Sequence, residues 1–113
     1  MYDLIYQAAR YMDEHGKCVQ AYRDEYGKVC MIGALRMARL GRVDIRNEDF
    51  MEVILEGPRA PVSDLGAAEI HLNDYADHIG LPRGVPDLND GFFATKEETV
   101  KFMMEAAEWT PGD

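Results

Sequence analysis

Three stretches of this chain place apolar residues at three- and four-residue intervals, and each is closed by glycine or proline. From Tyr2 to His15 the stripe is Ile5, Ala8, Ala9 and Met12, and Gly16 follows. From Asp64 to Ile79 it is Leu65, Ala68, Leu72, Tyr75, Ala76 and Ile79, stopped by Gly80 and Pro82. From Thr95 to Trp109 it is Val100, Met103, Met104 and Ala107, ended by Pro111 and Gly112. Stripes of this period are one-sided helices that must bury their apolar face. With 113 residues, one shared core is the economical solution. At this size folding hides about 65% of the chain's surface, enough for a core without metal or disulfide staples.

Local chemistry marks the helix ends. Thr95-Lys96-Glu97-Glu98 is a capping box with Thr95 at the cap and Glu98 reaching back. Ser63 or Asp64 is placed to cap the middle helix, and Gly16 to end the first. A further helix is predicted over Met31–Leu40, with Ile32, Leu35, Met37 and Ala38 apolar and Gly33 near its start. Asn47 can open another, although the apolar run from Phe50 to Leu55 also fits a strand. Gly57 to Pro61 reads as a linker, and Pro82 to Ala94 as irregular chain with a turn at Asn89-Asp90-Gly91. Lys17 to Met31 reads as a short β-hairpin near residues 18–31, closed by a turn ending at Gly27. The expected fold is therefore mainly α (α+β): a single domain over residues 1–113, with four to five helices and one β ribbon.

Charge narrows the function. The formal charge is −9. Residues 1–60 carry 9 basic and 10 acidic groups, and residues 61–113 carry 3 and 11. Phosphate binding by charge needs a basic patch, so direct contact with nucleic acid or an anionic membrane is disfavoured. No apolar run approaches the ~20 residues of a membrane helix, and the start Met1-Tyr2-Asp3-Leu4 does not read as a signal peptide. The expected setting is the cytoplasm, where Cys18 and Cys30 would be reduced thiols.

His15, Cys18 and Cys30 are the candidate metal ligands, because Cys and His at such spacings bind zinc. Buried core thiols are the commoner outcome, and a disulfide or redox pair is the third. Cys30, just before a helix, has half of what a nucleophilic thiol requires. His71, Asp74 and His78 recur on one helix, where a solvated face is the simplest reading. Asp87 and Asp90 could offer oxygen ligands, without the spacing of a calcium hand. No phosphate-binding glycine loop or hydrolase signature is present, and no cofactor is expected.

His15-Gly16-Lys17-Cys18-Val19-Gln20, then Cys30-Met31-Ile32-Gly33-Ala34-Leu35, then Leu88-Asn89-Asp90 and Thr95-Lys96-Glu97-Glu98-Thr99-Val100 occur in that order. The arrangement resembles a family of small actinobacterial and actinophage proteins known only as a domain of unknown function. That pattern runs Gly-Trp-Cys-Gln, Cys-x-x-Gly-Ala-Leu, Trp-Asn-Asp and a Thr-x-x-Glu-Val helix. The resemblance covers about residues 2–40 and 64–108. Its motif residues here are Cys18, Gln20, Cys30, Gly33, Ala34, Leu35, Asn89, Asp90, Thr95 and Glu98. Lys17 and Leu88 stand where the family has tryptophan. The resemblance implies an accessory protein of a phage or its host and supplies no catalytic residues.

Three functions follow. The first is a small acidic interaction protein that docks through Asp74, Asp77 and Glu105. The second is a small enzyme or a ligand- or metal-binding domain using Cys18, Cys30 and Asn89-Asp90. The third is an acidic mimic of nucleic acid. The partner and the oligomeric state are not written in the sequence.

Overall fold

The structure, a computed structural model, describes residues 1–40, 59–81 and 84–111, without side chains at 40 and 59–64. Five α-helices are present among these: α1 (Asp3–His15), α2 (Met31–Leu40), α3 (Arg59–His78), a single turn α4 (Val85–Asp87), and α5 (Lys96–Glu108). A π-helical turn, Leu88–Phe92, continues directly from α4.

Helix α1 lies at the centre and packs on both α2 and α5, while α3 closes against α2 and α5. Its predicted stripe is the buried one: Ile5, Ala8, Ala9 and Met12 are fully inaccessible. Gly16 ends the helix at φ 100°, and its N–H bonds to Met12 O (2.8 Å). That backbone conformation is open to glycine and costly for other residues. On α3, Ala68, Leu72 and Ala76 face the core, but Ile79 is exposed and follows the helix end. On α5 the core residues are Thr99, Phe102, Met103, Ala106 and Ala107, with Val100 and Met104 at the margin. The cap on α5 is the one the sequence predicts. Thr95 Oγ1 accepts from Glu98 N–H (3.1 Å) and donates to Glu98 Oε1 (3.1 Å).

Three expectations change. The β-hairpin near residues 18–31 does not form; no strand occurs among the described residues. Val29 makes two isolated bridges instead, parallel to Lys17 and antiparallel to Arg23. Gln20 at φ 63° bends the first arm away after one pair. The Asp24 carboxylate accepts from Tyr26 N–H and Lys28 N–H (both 2.9 Å), curling the second arm into a tight turn. Second, α3 begins at Arg59, so Arg59 to Pro61 are helix rather than linker, and Ser63 and Asp64 lie inside the helix rather than capping it. Pro61 is compatible because first-turn N–H groups have no intrahelical acceptor to lose. Third, residues 85–92 are helical, so Asn89-Asp90-Gly91 belong to the π-helical turn. Helix α2 covers the predicted Met31–Leu40. Met31, Ala34 and Leu35 are buried and Ile32, Met37 and Ala38 are partly so, while Arg36 is buried with its guanidinium 4.1 Å from the Tyr22 ring centre. The helix or strand expected after Asn47 lies outside the described residues.

Candidate functional site

The motif residues of the first three segments meet where the loop Gly16–Cys30, the start of α2 and the π-helical turn come together, while Thr95 and Glu98 cap α5. Val29 anchors the loop: its N–H bonds to Gly16 O and its carbonyl accepts from Cys18 N–H (both 3.0 Å). Tyr22 O accepts from Cys30 N–H (3.3 Å), which lays the Tyr22 carbonyl across the first turn of α2. Only glycine permits this. A Cβ at Gly33 would sit 1.8 Å from Tyr22 O and 2.7 Å from Tyr22 C. The glycine of Cys-x-x-Gly-Ala-Leu is therefore the floor on which the loop rests, and Ala34 and Leu35 behind it are core.

Asn89, 1% exposed, ties the three pieces together. Its Oδ1 accepts from Met31 N–H at the start of α2 (3.1 Å). Its Nδ2 donates to Cys18 O (3.0 Å) and to Asp90 Oδ1 (2.9 Å). Asp90 Oδ1 also accepts from Gln20 N–H (3.2 Å), holding Gln20 in its left-handed conformation. Two consecutive side chains thus fix both edges of the loop. The wide π turn, closed by Phe93 N–H to Leu88 O (2.8 Å), presents them together.

Between loop, α2 and turn lies a cavity of about 240 Å³. Tyr22, Ile32, Val85 and Pro86 give it apolar walls; Gln20, Cys30, Asn89 and Asp90 are its polar groups. Behind the wall, Asn73 Oδ1 on α3 accepts from Val85 N–H (3.1 Å). Asp90 also borders a broader surface depression of about 640 Å³ that holds Lys17, Cys18, Lys28 and Lys96. There the Lys17 ammonium donates to Phe93 O. Burial lowers its pKa, against the opposing pull of Asp90 and Glu98.

Both thiols are free and disfavour the thiolate. Cys18 Sγ donates to Ala21 O (3.3 Å), and burial, then the neighbouring Cys30, pushes its pKa up to about 11. Cys30 precedes α2 and its sulfur accepts from Gly33 N–H (3.3 Å). Burial raises its pKa, against N–H donation from Gly33 and Ile32 that favours the thiolate.

The other sequence candidates sit elsewhere. His15 is turned back along α1, its Nδ1 bonded to Tyr11 O (3.1 Å) and its ring stacked on Tyr11 at 4.0 Å. His15, Cys18 and Cys30 are therefore not gathered around a metal: among the described residues no three His, Cys, Asp or Glu side chains are so placed. His71 is not on a solvated face. It is buried, with Nε2 bonded to Ala106 O (2.8 Å) and its ring 4.7 Å from Tyr2 and 5.3 Å from Trp109. Asp74, Asp77, His78 and Glu105 are exposed. Tyr22, Arg36 and Asn73 escaped the sequence reading. The signal for Tyr22 was Gly33, because a glycine in the first turn of a helix asks what lies against it.

No described helix is long and apolar enough to cross a membrane. No curated protein and no solved structure matches the chain. One family model does, over residues 1–108, and it takes in every residue of the loop, helix start and turn described above. The chain belongs to that family, the family of unknown function DUF6197.

Proposed function

We propose that this protein is a ligand-binding domain that takes a small molecule into the cavity between the loop, α2 and the Asn89–Asp90 turn. One observation carries the reading: Gln20 and Cys30 of the loop and Asn89 and Asp90 of the π-helical turn border the same space of about 240 Å³. Sites for drug-sized ligands occupy about 300–1,000 Å³, so the fitting ligand is of fragment size, such as a free amino acid or a nucleobase. The apolar walls suit a flat or aliphatic body. The Asp90 carboxylate suits an amine or other hydrogen-bond donor at one end. Protonated thiols make Cys30 a wall of the site rather than a standing nucleophile, which favours binding over covalent catalysis.

A fragment library of small amines and heterocycles, followed by ligand-observed NMR, tests this. Binders are expected that lose about tenfold in affinity in Asp90→Asn, the ordinary worth of one charge-assisted hydrogen bond. A library without a binder that Asp90→Asn weakens would refute the site.

A second reading, an accessory protein docking on a host or phage protein, rests on the outer face of α3. Ile70, 60% exposed, shares that face at helical spacing with Asp74 and Asp77. Pull-down from actinobacterial lysate at low and high salt tests it. A stoichiometric partner lost on charge reversal at Asp74, Asp77 and Glu105 supports docking. Capture unchanged by those reversals counts against that surface.

A further inference from the structure

The two hydrogen bonds that join Val29 to Gly16 and Cys18 set a parallel register, with Lys17 opposite Val29. Cys18 and Cys30 are the next residues beyond that single pair, each a direct neighbour of a bonded residue. Neighbouring extended chains lie about 4.8 Å apart, and residues paired in register project to the same side. Disulfides span Cα separations of about 4.4–6.8 Å, so residues one step from a bonded pair start close to the reach of a bridge. The sulfurs are held by main-chain groups: Cys18 donates to Ala21 O (3.3 Å), and Cys30 accepts from Gly33 N–H (3.3 Å) and from Ile32 N–H. Contacts of sulfur with backbone groups are weak and easily given up. The two thiols also feel each other, Cys30 being among the causes that raise the Cys18 pKa.

We propose that Cys18 and Cys30 are a dithiol–disulfide site, closed by exchange with a low-molecular-weight disulfide of the glutathione class. Cys18 is the more accessible thiol and reacts first. Its thiolate attacks the oxidant, forms a protein–glutathione disulfide and expels one glutathione thiolate. Cys30, deprotonated, then attacks the Cys18 sulfur and expels the second. The protein loses two hydrogens, and the two electrons and two protons end on two molecules of reduced glutathione. Exchange slows when the attacking thiol is mostly protonated and the leaving thiol has a high pKa. This site is therefore a slow, durable staple that fastens the loop to the start of α2, not a rapid exchange catalyst. It does not depend on the proposed ligand.

The test is equilibration of the full chain in reduced and oxidised glutathione, with and without urea. Acid quenching, alkylation and peptide mass mapping then give the effective concentration of one cysteine at the other. In the unfolded chain, spacing alone gives the millimolar range of a short flexible tether. Folding is expected to raise it by at least about tenfold, with one intramolecular Cys18–Cys30 link as the product. Cys18→Ser and Cys30→Ser would each stop at a single glutathione adduct. An effective concentration equal to or below the value in urea would overturn the proposal, as would folded wild-type protein that accumulates only adducts or intermolecular dimers.

Discussion

Gly33 and Asn89 have the least freedom at the site. In Gly33→Ala the new methyl meets the Tyr22 carbonyl, a backbone group that cannot rotate away. Overpacking of this kind costs about 1–3 kcal/mol, and displacement of the loop should also remove the cavity wall. Urea denaturation would give the cost, and fragment binding would report the wall. Asn89→Ala leaves Met31 N–H and Cys18 O without their buried partner. Each orphaned group costs about 1–3 kcal/mol, so a loss of about 3 kcal/mol is expected in the same titration. A smaller loss than Gly33→Ala would mean that water reaches these groups. Both residues belong to legible motifs, but the sequence does not say what they touch. Gly33 answers to a carbonyl eleven residues earlier, and Asn89 to backbone atoms 58 and 71 residues away.

At the scale of elements, periodicity located α1 and α5 well, although the buried face of α5 runs through Thr99, Phe102 and Ala106 and leaves Val100 and Met104 at its margin. The Thr95 cap is entirely local. Thr95→Ala should lower stability by about 1 kcal/mol, read as a fall in the denaturation midpoint with an unchanged slope. The loop Gly16–Cys30 was misread because alternation and turn residues describe a hairpin equally well. What defeats the hairpin is the parallel pairing of Lys17 with Val29, a partnership between the loop's two ends. The burial of Arg36 on α2 is hidden from the sequence for a related reason. Arg36 is buried against Tyr22, and hydropathy assigns arginine to solvent. His71 follows the same pattern: its Nε2 has a backbone acceptor on α5 that no spacing within α3 reveals.

For the whole molecule, the buried thiols link stability to alkaline pH. The fold prefers protonated Cys18, whose pKa lies at about 11 against an ordinary value of 9.0. Stability from that preference is complete below about pH 9 and declines as pH rises through about 11, because the unfolded chain releases its proton first. Wild-type protein should therefore lose stability more steeply over this window than Cys18→Ala, measured by chemical denaturation at each pH. Parallel slopes would show that Cys18 is equally solvated in both states.

The sequence by itself determined that this chain builds helices, where most of them stop, and which of their faces are apolar. Those properties arise between residues three or four apart. Only the tertiary structure decided that Gln20, Cys30, Asn89 and Asp90 share one cavity, that Lys17 pairs with Val29, and that His15 turns back onto Tyr11. The shared cavity depends on hydrogen bonds between the loop, the start of α2 and the π-helical turn. Their partners are set by how α1, α2 and α5 pack.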